Sequence, residues 1–216
     1  MIIRTYQQKD RAGIEKINFQ TGFLGESMNK MISSPKLWSW GIKHYFEQEP
    51  ESIFVAEEDG LIVGYILGFV EEFKYDRKKI IIKSMFRNLR FIFNLILEDK
   101  IFWLDKIRES FVLFMKSLFG QRFHEPNNSG HMHINLLPSV RGQGVGRKLL
   151  ERFLAHARSK GAIRIYANSY QLAENLKKNF WTQNDFREYS KIKTTFWRQQ
   201  LPEKEVYLVC YVKDLG

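Results

Sequence analysis

Hydrophobic and polar positions alternate from the start of the chain, and Ile2-Ile3-Arg4-Thr5-Tyr6 reads as a short strand. Asp10 then offers a helix N-cap, and Ile14, Ile17 and Phe19 form an apolar face that runs out before Thr21-Gly22. Pro35 suits a first helical turn, and Leu37, Trp38, Ile42, Tyr45 and Phe46 behind it are spaced for burial. Two strand-like runs, 52–57 and 61–70, flank Glu58-Asp59-Gly60, a combination that favours a tight hairpin turn. Residues 74–122 change character: glycine and proline nearly vanish, and the pattern predicts two helices at roughly 79–97 and 100–119. In the first, Ile80, Phe86, Phe91, Ile92, Leu95 and Ile96 recur among basic residues; Phe102, Leu104, Ile107, Phe111, Phe114 and Leu118 mark the second. After a loop at 124–130 the chain reads strand (131–137), helix (144–159), strand (162–167), helix (roughly 170–183) and two closing strands. This order predicts a single mixed α/β domain over 1–216 with a helical insertion at 74–130.

Composition narrows the class. A hydrophobic fraction of 44% supplies a core and excludes wholesale disorder, and eighteen phenylalanines imply a large aromatic interior or groove. The balance of 34 basic and 24 acidic residues is +10, which favours an anionic partner. Within 74–122 twelve basic and five acidic residues give 12 − 5 = +7, so most of that excess sits in the expected insertion. An amphipathic hairpin with a solvated basic face, a wall for an acceptor groove, and a footprint for nucleic acid or anionic membrane through Lys78, Lys79, Lys83, Arg87 and Arg90 all satisfy this pattern. The one cysteine, Cys210, lies in an apolar strand and excludes an internal disulfide or a cysteine metal cluster. The N-terminus lacks the apolar core of a signal peptide, and no stretch approaches the ~18 apolar residues of a membrane span, so a cytoplasmic protein is expected.

Chemistry is concentrated in Leu136-Leu137-Pro138-Ser139-Val140-Arg141-Gly142-Gln143-Gly144-Val145-Gly146-Arg147-Lys148. A strand ends at Pro138, a glycine-rich turn follows, and a helix opens near Gly144. Such a turn aims several backbone N–H groups and the positive end of a helix dipole at one point, with no side chains in the way. Arg141, Arg147 and Lys148 add positive charge, so the physical reading is a phosphate or pyrophosphate cradle. The Gly-Lys-Ser/Thr ending of a Walker loop is missing, and the glycine spacing differs from the dinucleotide fingerprint.

The pattern Arg141-x-x-Gly144-x-Gly146 after an apolar strand and Pro138 resembles the acetyl-CoA signature of the GCN5-related N-acetyltransferase (GNAT) superfamily. Gly60, Val63-Gly64 and the closing Tyr207-Leu208-Val209-Cys210-Tyr211-Val212-Lys213 are similar to that family too, while Gln20-Thr21-Gly22-Phe23-Leu24-Gly25 and the His-x-His strand look like a bacterial branch. The resemblance implies a central, mostly antiparallel sheet splayed at a bulge, with the helical insertion between the third and fourth strands. It implies acetyl-CoA as co-substrate, no metal, and direct transfer of acetyl to a primary amine of an unidentified acceptor, with a homodimer compatible with the family. Amides of Arg141, Gly142, Gln143, Gly144, Val145 and Gly146, beside Arg147, would hold the pyrophosphate, and Ile134, Asn135 and Leu136 would pair with the pantetheine arm. Asn175 or Asn179 would lie near that arm. His131 and His133, projecting to one sheet face, are the implied bases, and arylalkylamine acetyltransferases carry a similar His-x-His. Glu71 and Glu72 are alternatives, and His156 is expected on an exposed helix face.

The chain departs from the family where a tyrosine would protonate the CoA sulfur. In Phe180-Trp181-Thr182-Gln183-Asn184-Asp185-Phe186, Trp181 fills the tyrosine slot and Asp185 a glycine slot. An indole N–H donates a hydrogen bond but is no acid near neutral pH. Tyr170 and Tyr189 are other phenols within reach of the argument. The departure keeps a second class in play, a CoA-binding or interaction module without turnover, and the basic surface binder is a third. No specific nucleic-acid partner is expected.

Overall fold

The computed structural model describes residues 1–32, 35–70, 97, 100–118, 120 and 122–216. Glu71, Glu72, the basic residues between 78 and 90, and the helix expected at roughly 79–97, all but its last residue, lie outside the described residues.

Among the described residues seven strands form one mixed sheet: β1 (Ile2–Thr5), β2 (Phe54–Glu58), β3 (Leu61–Phe69), β4 (Gly130–Leu136), β5 (Arg164–Leu172), β6 (Arg187–Thr194) and β7 (Val206–Asp214). Their order across the sheet is β1-β2-β3-β4-β5-β7-β6, and every pairing is antiparallel except β4 with β5. Among the described residues the α-helices include α1 (Arg11–Thr21), α2 (Pro35–Trp40), α3 (Lys43–Gln48), α4 (Lys100–Leu118) and α5 (Val145–Ser159). The β2–β3 hairpin turns on Asp59 and Gly60, both at positive φ (50° and 78°), the geometry that Asp-Gly accommodates.

Each sheet face is covered, which is why β3 reads as a nearly unbroken apolar run. On one face α5 lays Leu149, Leu150, Phe153, Leu154 and Ala157 against Ile66, Met132, Ile165 and Val209. On the other, Ile14 and Ile17 of α1 and Tyr45 and Phe46 of α3 pack on Val55, Tyr65, Leu67 and Phe69. A third cluster joins the segment after α1 (Phe23, Met28, Ile32) to Phe196, Trp197 and Val206, with Trp38, Trp103 and Tyr170 packed against it. Cys210 is fully buried in β7.

Helix α4 docks on the end of β6 through a buried carboxylate. Glu109 accepts from the Thr195 amide at 2.8 Å, the Thr195 hydroxyl at 2.5 Å and the Thr194 hydroxyl, while Arg108 donates to the Thr195 carbonyl at 3.1 Å. Its opposite side leaves Leu104, Ile107, Phe111 and Met115 exposed. Among the described residues no helix is long and apolar enough to cross a membrane.

Two expectations are corrected. The helix expected at 170–183 is absent: β5 continues to Leu172, and only short 3-10 turns at Ala173–Asn175 and Thr182–Asn184 follow. Leu208 and Val206 of β7 pair with Tyr170 and Leu172 and hold them extended, and the polar stretch beyond has no continuous apolar stripe to bury. The helix opened by Pro35 divides into α2 and α3 around Gly41.

Candidate active site

The glycine turn has the geometry of an anion cradle. After a 3-10 turn at Pro138–Val140, Gly142 and Gly144 take φ of 76° and 77°, and α5 starts at Val145 with Gly144 as its N-cap. No side chain caps that end. The first intrahelical bond runs from Lys148 N–H to Gly144, so the amides of Val145, Gly146 and Arg147 have no partner within the helix. A Cβ built on Gly142 or Gly144 would meet nothing within 4 Å, so space beside the main chain is open. These orphan donors and the helix dipole fit a pyrophosphate.

Next to the cradle the sheet splays. β4 pairs with β5 only at Gly130–Ile165 and His131–Tyr166, and beyond that the parallel strands separate. Leu137 N–H donates to Val63 O at 2.9 Å, which makes Leu137–Val63 a hydrogen-bonded pair and fixes the alternation along β4. Main-chain groups of His131, His133 and Asn135 are therefore spent on β3, while those of Ile134 and Leu136 point into the gap. The expectation of three pantetheine-pairing residues is thus refined: Ile134 and Leu136 present backbone there, and Asn135 presents only its side chain, on the other face. The Leu136 carbonyl is already held by Arg141, whose guanidinium donates to it at 3.0 and 3.2 Å and to Gly25 O at 2.7 Å. Arg141 therefore ties the cradle to the segment after α1, and Arg147 pairs with Glu151 at 2.9 Å on the exposed helix face.

A profile of the acetyltransferase (GNAT) family matches residues 24–183, spanning both the cradle and the splayed strands. The chain belongs to the GNAT acetyltransferase family. No curated protein matches the sequence. Among solved structures, the fold is similar to SsHAT, at 19% identity and a TM-score of 0.62 over 100% of this chain and 98% of that one. It is similar to yncA, a putative acetyltransferase from Salmonella typhimurium solved with its cofactor acetyl-CoA (17% identity, TM-score 0.55, 100% and 94% covered). A ribosomal-protein-alanine N-acetyltransferase from Brucella melitensis gives 14% identity and a TM-score of 0.55 over 99% of each chain. GNAT acetyltransferases use acetyl-CoA, and the open amides at the head of α5 beside the unpaired edge of β4 fit that ligand.

On the face opposite α5, this GNAT chain buries a polar cluster beside the gap. Tyr65 Oη donates to Asn18 Oδ1 at 3.0 Å and receives the Asn135 amide at 3.2 Å. His133 Nε2 lies 3.1 Å from the same oxygen. Asn18 Oδ1 can only accept, so the single phenol proton is committed there, and His133 must donate from Nε2. The neutral imidazole then carries its lone pair on Nδ1, which has no partner among the described residues and is not one of the sealed buried polar atoms. Burial lowers the His133 pKa to about 4 and holds the Tyr65 phenol well above its ordinary value, so both are neutral near pH 7.

His131 is buried farther along the strand, its Nδ1 2.7 Å from the Tyr45 hydroxyl and its ring against Tyr166. Trp181 lies in the core, edge-on to Phe180 and Phe186 and stacked on Tyr211. Asp185 adopts φ 62°, a left-handed conformation that Asp tolerates better than most residues. Asn179 is structural: its Nδ2 donates to Tyr211 Oη at 2.9 Å, and its Oδ1 receives the Trp181 and Thr182 amides. Asn175 is exposed in a 3-10 turn. Tyr170 is packed between Phe196 and Trp197, and burial pushes its phenol up to about 12; Tyr189 is exposed.

His156 is not on an exposed face. Its Nε2 meets Ser52 Oγ at 2.9 Å, Ser52 donates to Glu49 at 2.5 Å, and Glu49 receives the Val70 amide at 3.0 Å. With the serine proton spent on Glu49, His156 must donate, and the chain of bonds fastens α5 to the end of β3.

Sequence reasoning missed Tyr65, Asn18, Glu125 and Asn168. The partners of Tyr65 lie 47, 68 and 70 positions away, and Asn168 donates to Glu125 at 2.5 Å across 43 positions, so no local spacing marks them.

Proposed function

We propose that this protein transfers the acetyl group of acetyl-CoA directly to a primary amine, as a single domain over residues 1–216 with an inserted helical segment. The observation that carries the reading is the open, uncapped amide cradle at the head of α5, lying beside a strand edge that β5 leaves unpaired at Ile134 and Leu136. When bound, acetyl-CoA supplies an activated thioester. The amides at Val145 to Arg147 hold the pyrophosphate, and the Ile134 and Leu136 edge orients the arm. A backbone N–H from that edge stabilises charge developing on the carbonyl oxygen. His133 receives the amine proton on Nδ1 while Tyr65, fixed by Asn18 and Asn135, keeps the ring in the required tautomer. With its pKa near 4, His133 suits a nitrogen made acidic by attack and cannot strip a free ammonium ion. Trp181 is in the core and the Tyr170 phenol is raised to about 12, so neither is suited to protonate the departing sulfur.

Calorimetric titration of acetyl-CoA into the wild type and Gly144→Val tests this reading, with CoA release followed over a panel of primary amines. Valine is strained at a φ of 77° and must reshape the cradle. Micromolar binding that weakens at least ~100-fold in a folded variant, with amine-dependent CoA release by the wild type, is expected. Absence of binding would remove the reading, and binding without turnover on any amine would favour the module that keeps the cradle alone.

A further inference from the structure

The segment that follows α1 closes a tight turn at Phe23–Glu26. Phe23 N–H donates to Glu26 O at 2.9 Å, and Glu26 N–H donates back to Phe23 O at 2.8 Å. Its two central residues, Leu24 and Gly25, take φ of 50° and 97°. Glycine is at ease there, but a leucine at positive φ is strained and stays only where its surroundings hold it. Arg141 is one such restraint. Its Nη2 donates to Gly25 O at 2.7 Å, and Nη2 and Nε both reach Leu136 O, at 3.0 and 3.2 Å. One planar fork thus joins the turn to the last residue of β4, whose carbonyl points into the gap. The backbone of Arg141 meanwhile opens the glycine turn of the cradle. Asn18, which accepts the Tyr65 proton, lies in the last turn of α1, just before the segment that Arg141 grips.

Both partners of the guanidinium are neutral carbonyls, so its positive charge is not cancelled, and burial lowers its pKa. An anion in the adjacent cradle relieves that cost and steadies the fork where it stands. A ligand that steadies one end of such a bridge also quiets the other, and by linkage the other end acts back on the ligand. We propose, resting on the acetyl-transfer reading above, that Arg141 is a positioning residue: filling the cradle with acetyl-CoA tightens the Phe23–Glu26 turn, and loosening the turn weakens acetyl-CoA. Cofactor occupancy thereby braces the end of α1, from which Asn18 fixes Tyr65.

Amide hydrogen exchange followed by NMR at Phe23, Gly25 and Glu26 tests the coupling, with Ile66 in the middle of β3 reporting that each variant is folded. In the wild type, saturating acetyl-CoA is expected to slow exchange in the turn at least ~3-fold. Arg141→Met keeps the stem but loses the fork, so exchange there should quicken ~10-fold or more and no longer respond to acetyl-CoA. Arg141→Lys keeps the charge without the fork and should behave the same way. A Cβ on Gly25 would come within 3.1 Å of Arg141 Nη1 on a backbone at φ 97°, so Gly25→Ala loosens the turn from outside the cradle. It should weaken acetyl-CoA about 3–10-fold by calorimetry and have no further effect on top of Arg141→Met, the non-additivity of a coupled pair. Should Arg141→Met lose the slow exchange of Ile66, Arg141→Lys takes its place in the double variant. Turn exchange that ignores acetyl-CoA in the wild type, a retained response in Arg141→Lys, or additive losses in the double variant would each overturn the coupling. Failure of the wild type to bind acetyl-CoA would instead overturn the acetyl-transfer reading on which the coupling stands.

Discussion

Along β3, strand β4 is paired without interruption from Phe69–His131 to Gly64–Leu136; along β5 its pairing stops after Gly130–Ile165 and His131–Tyr166. The same strand is therefore a buried ladder on one flank and an unpaired edge on the other. The closed flank gives rigidity, since Tyr65, His133 and Asn135 are held in register on one face by neighbouring strands. The open flank gives chemistry, since unpaired backbone inside a protein is a liability that a ligand can relieve. A site made this way needs few specialised side chains: the cradle is main chain, the edge offered to a ligand is main chain, and His133 stands where the two flanks meet.

The largest effect expected from disturbing the closed flank is catalytic. His133→Gln removes the Nδ1 lone pair but retains a donor toward Tyr65, and acetyl transfer should fall ~100-fold or more while the acetyl-CoA affinity stays within about threefold of wild type. Equal losses in both quantities would mean that His133 shapes the cleft instead. The pH dependence sharpens this assignment. Because burial lowers the His133 pKa from 6.5 to about 4, the unfolded chain binds this proton more readily than the folded one. Stability contributed by the neutral imidazole is thus complete above about pH 6.5 and is lost as the pH falls toward 4, by at most about 3 kcal/mol. Denaturant midpoints between pH 4 and 7 should show a smaller acid loss for His133→Gln than for the wild type.

The open flank is anchored where its brief pairing begins. A Cβ on Gly130 would approach Ile165 Cδ1 to 2.6 Å and the Phe69 carbonyl oxygen to 2.8 Å, a backbone atom that cannot swing away. Gly130→Val should cost about 1–3 kcal/mol by urea unfolding. Acetyl-CoA affinity should fall with it, because the splay starts from this point. An unchanged affinity would show that the gap is set by β3 alone.

Much of this architecture was legible in the chain, and the reasons differ by element. Asp59-Gly60 announced its turn because both residues suit positive φ, and Leu149, Leu150, Phe153 and Leu154 announced α5 because they recur at helical spacing. The cradle was legible because its chemistry is contiguous in sequence. The expectation of a helix at 170–183 failed, since the pairing of Tyr170 and Leu172 with β7 is a tertiary fact that local propensity does not carry, whereas the two closing strands stand as β6 and β7. His131 and His133 could be placed on one face, but their different surroundings come from Tyr45 and Tyr65, residues far away in the chain.

Within the closed flank, Tyr65→Phe isolates the hydroxyl that Asn18, His133 and Asn135 share. Three buried polar partners lose one atom, and a destabilisation of about 1–3 kcal/mol is expected by thermal or denaturant unfolding. Freed from the requirement to donate at Nε2, the His133 ring can take the other tautomer. A drop in kcat with KM for acetyl-CoA unchanged would identify Tyr65 as a positioning residue, whereas a stability loss with unaltered kinetics would reduce it to packing.

The smallest effect expected lies at Asp185, which holds a left-handed backbone on an exposed turn. Its φ of 62° is the conformation a glycine would supply, and its side chain is almost fully exposed in a pair with Lys213 at 3.2 Å, an interaction of little net worth at a surface. Asp185→Gly exchanges a mild left-handed penalty for greater freedom in the unfolded chain, and the two tendencies oppose one another. Stability should change by less than about 1 kcal/mol, and acetyl-CoA affinity should not change. Asp185→Val is the informative contrast, because a β-branched residue resists positive φ and should cost about 1–2 kcal/mol at a position where its side chain touches little. If valine were tolerated as well as glycine, the left-handed turn would not be what constrains this position, and the aspartate there would need another explanation than backbone shape.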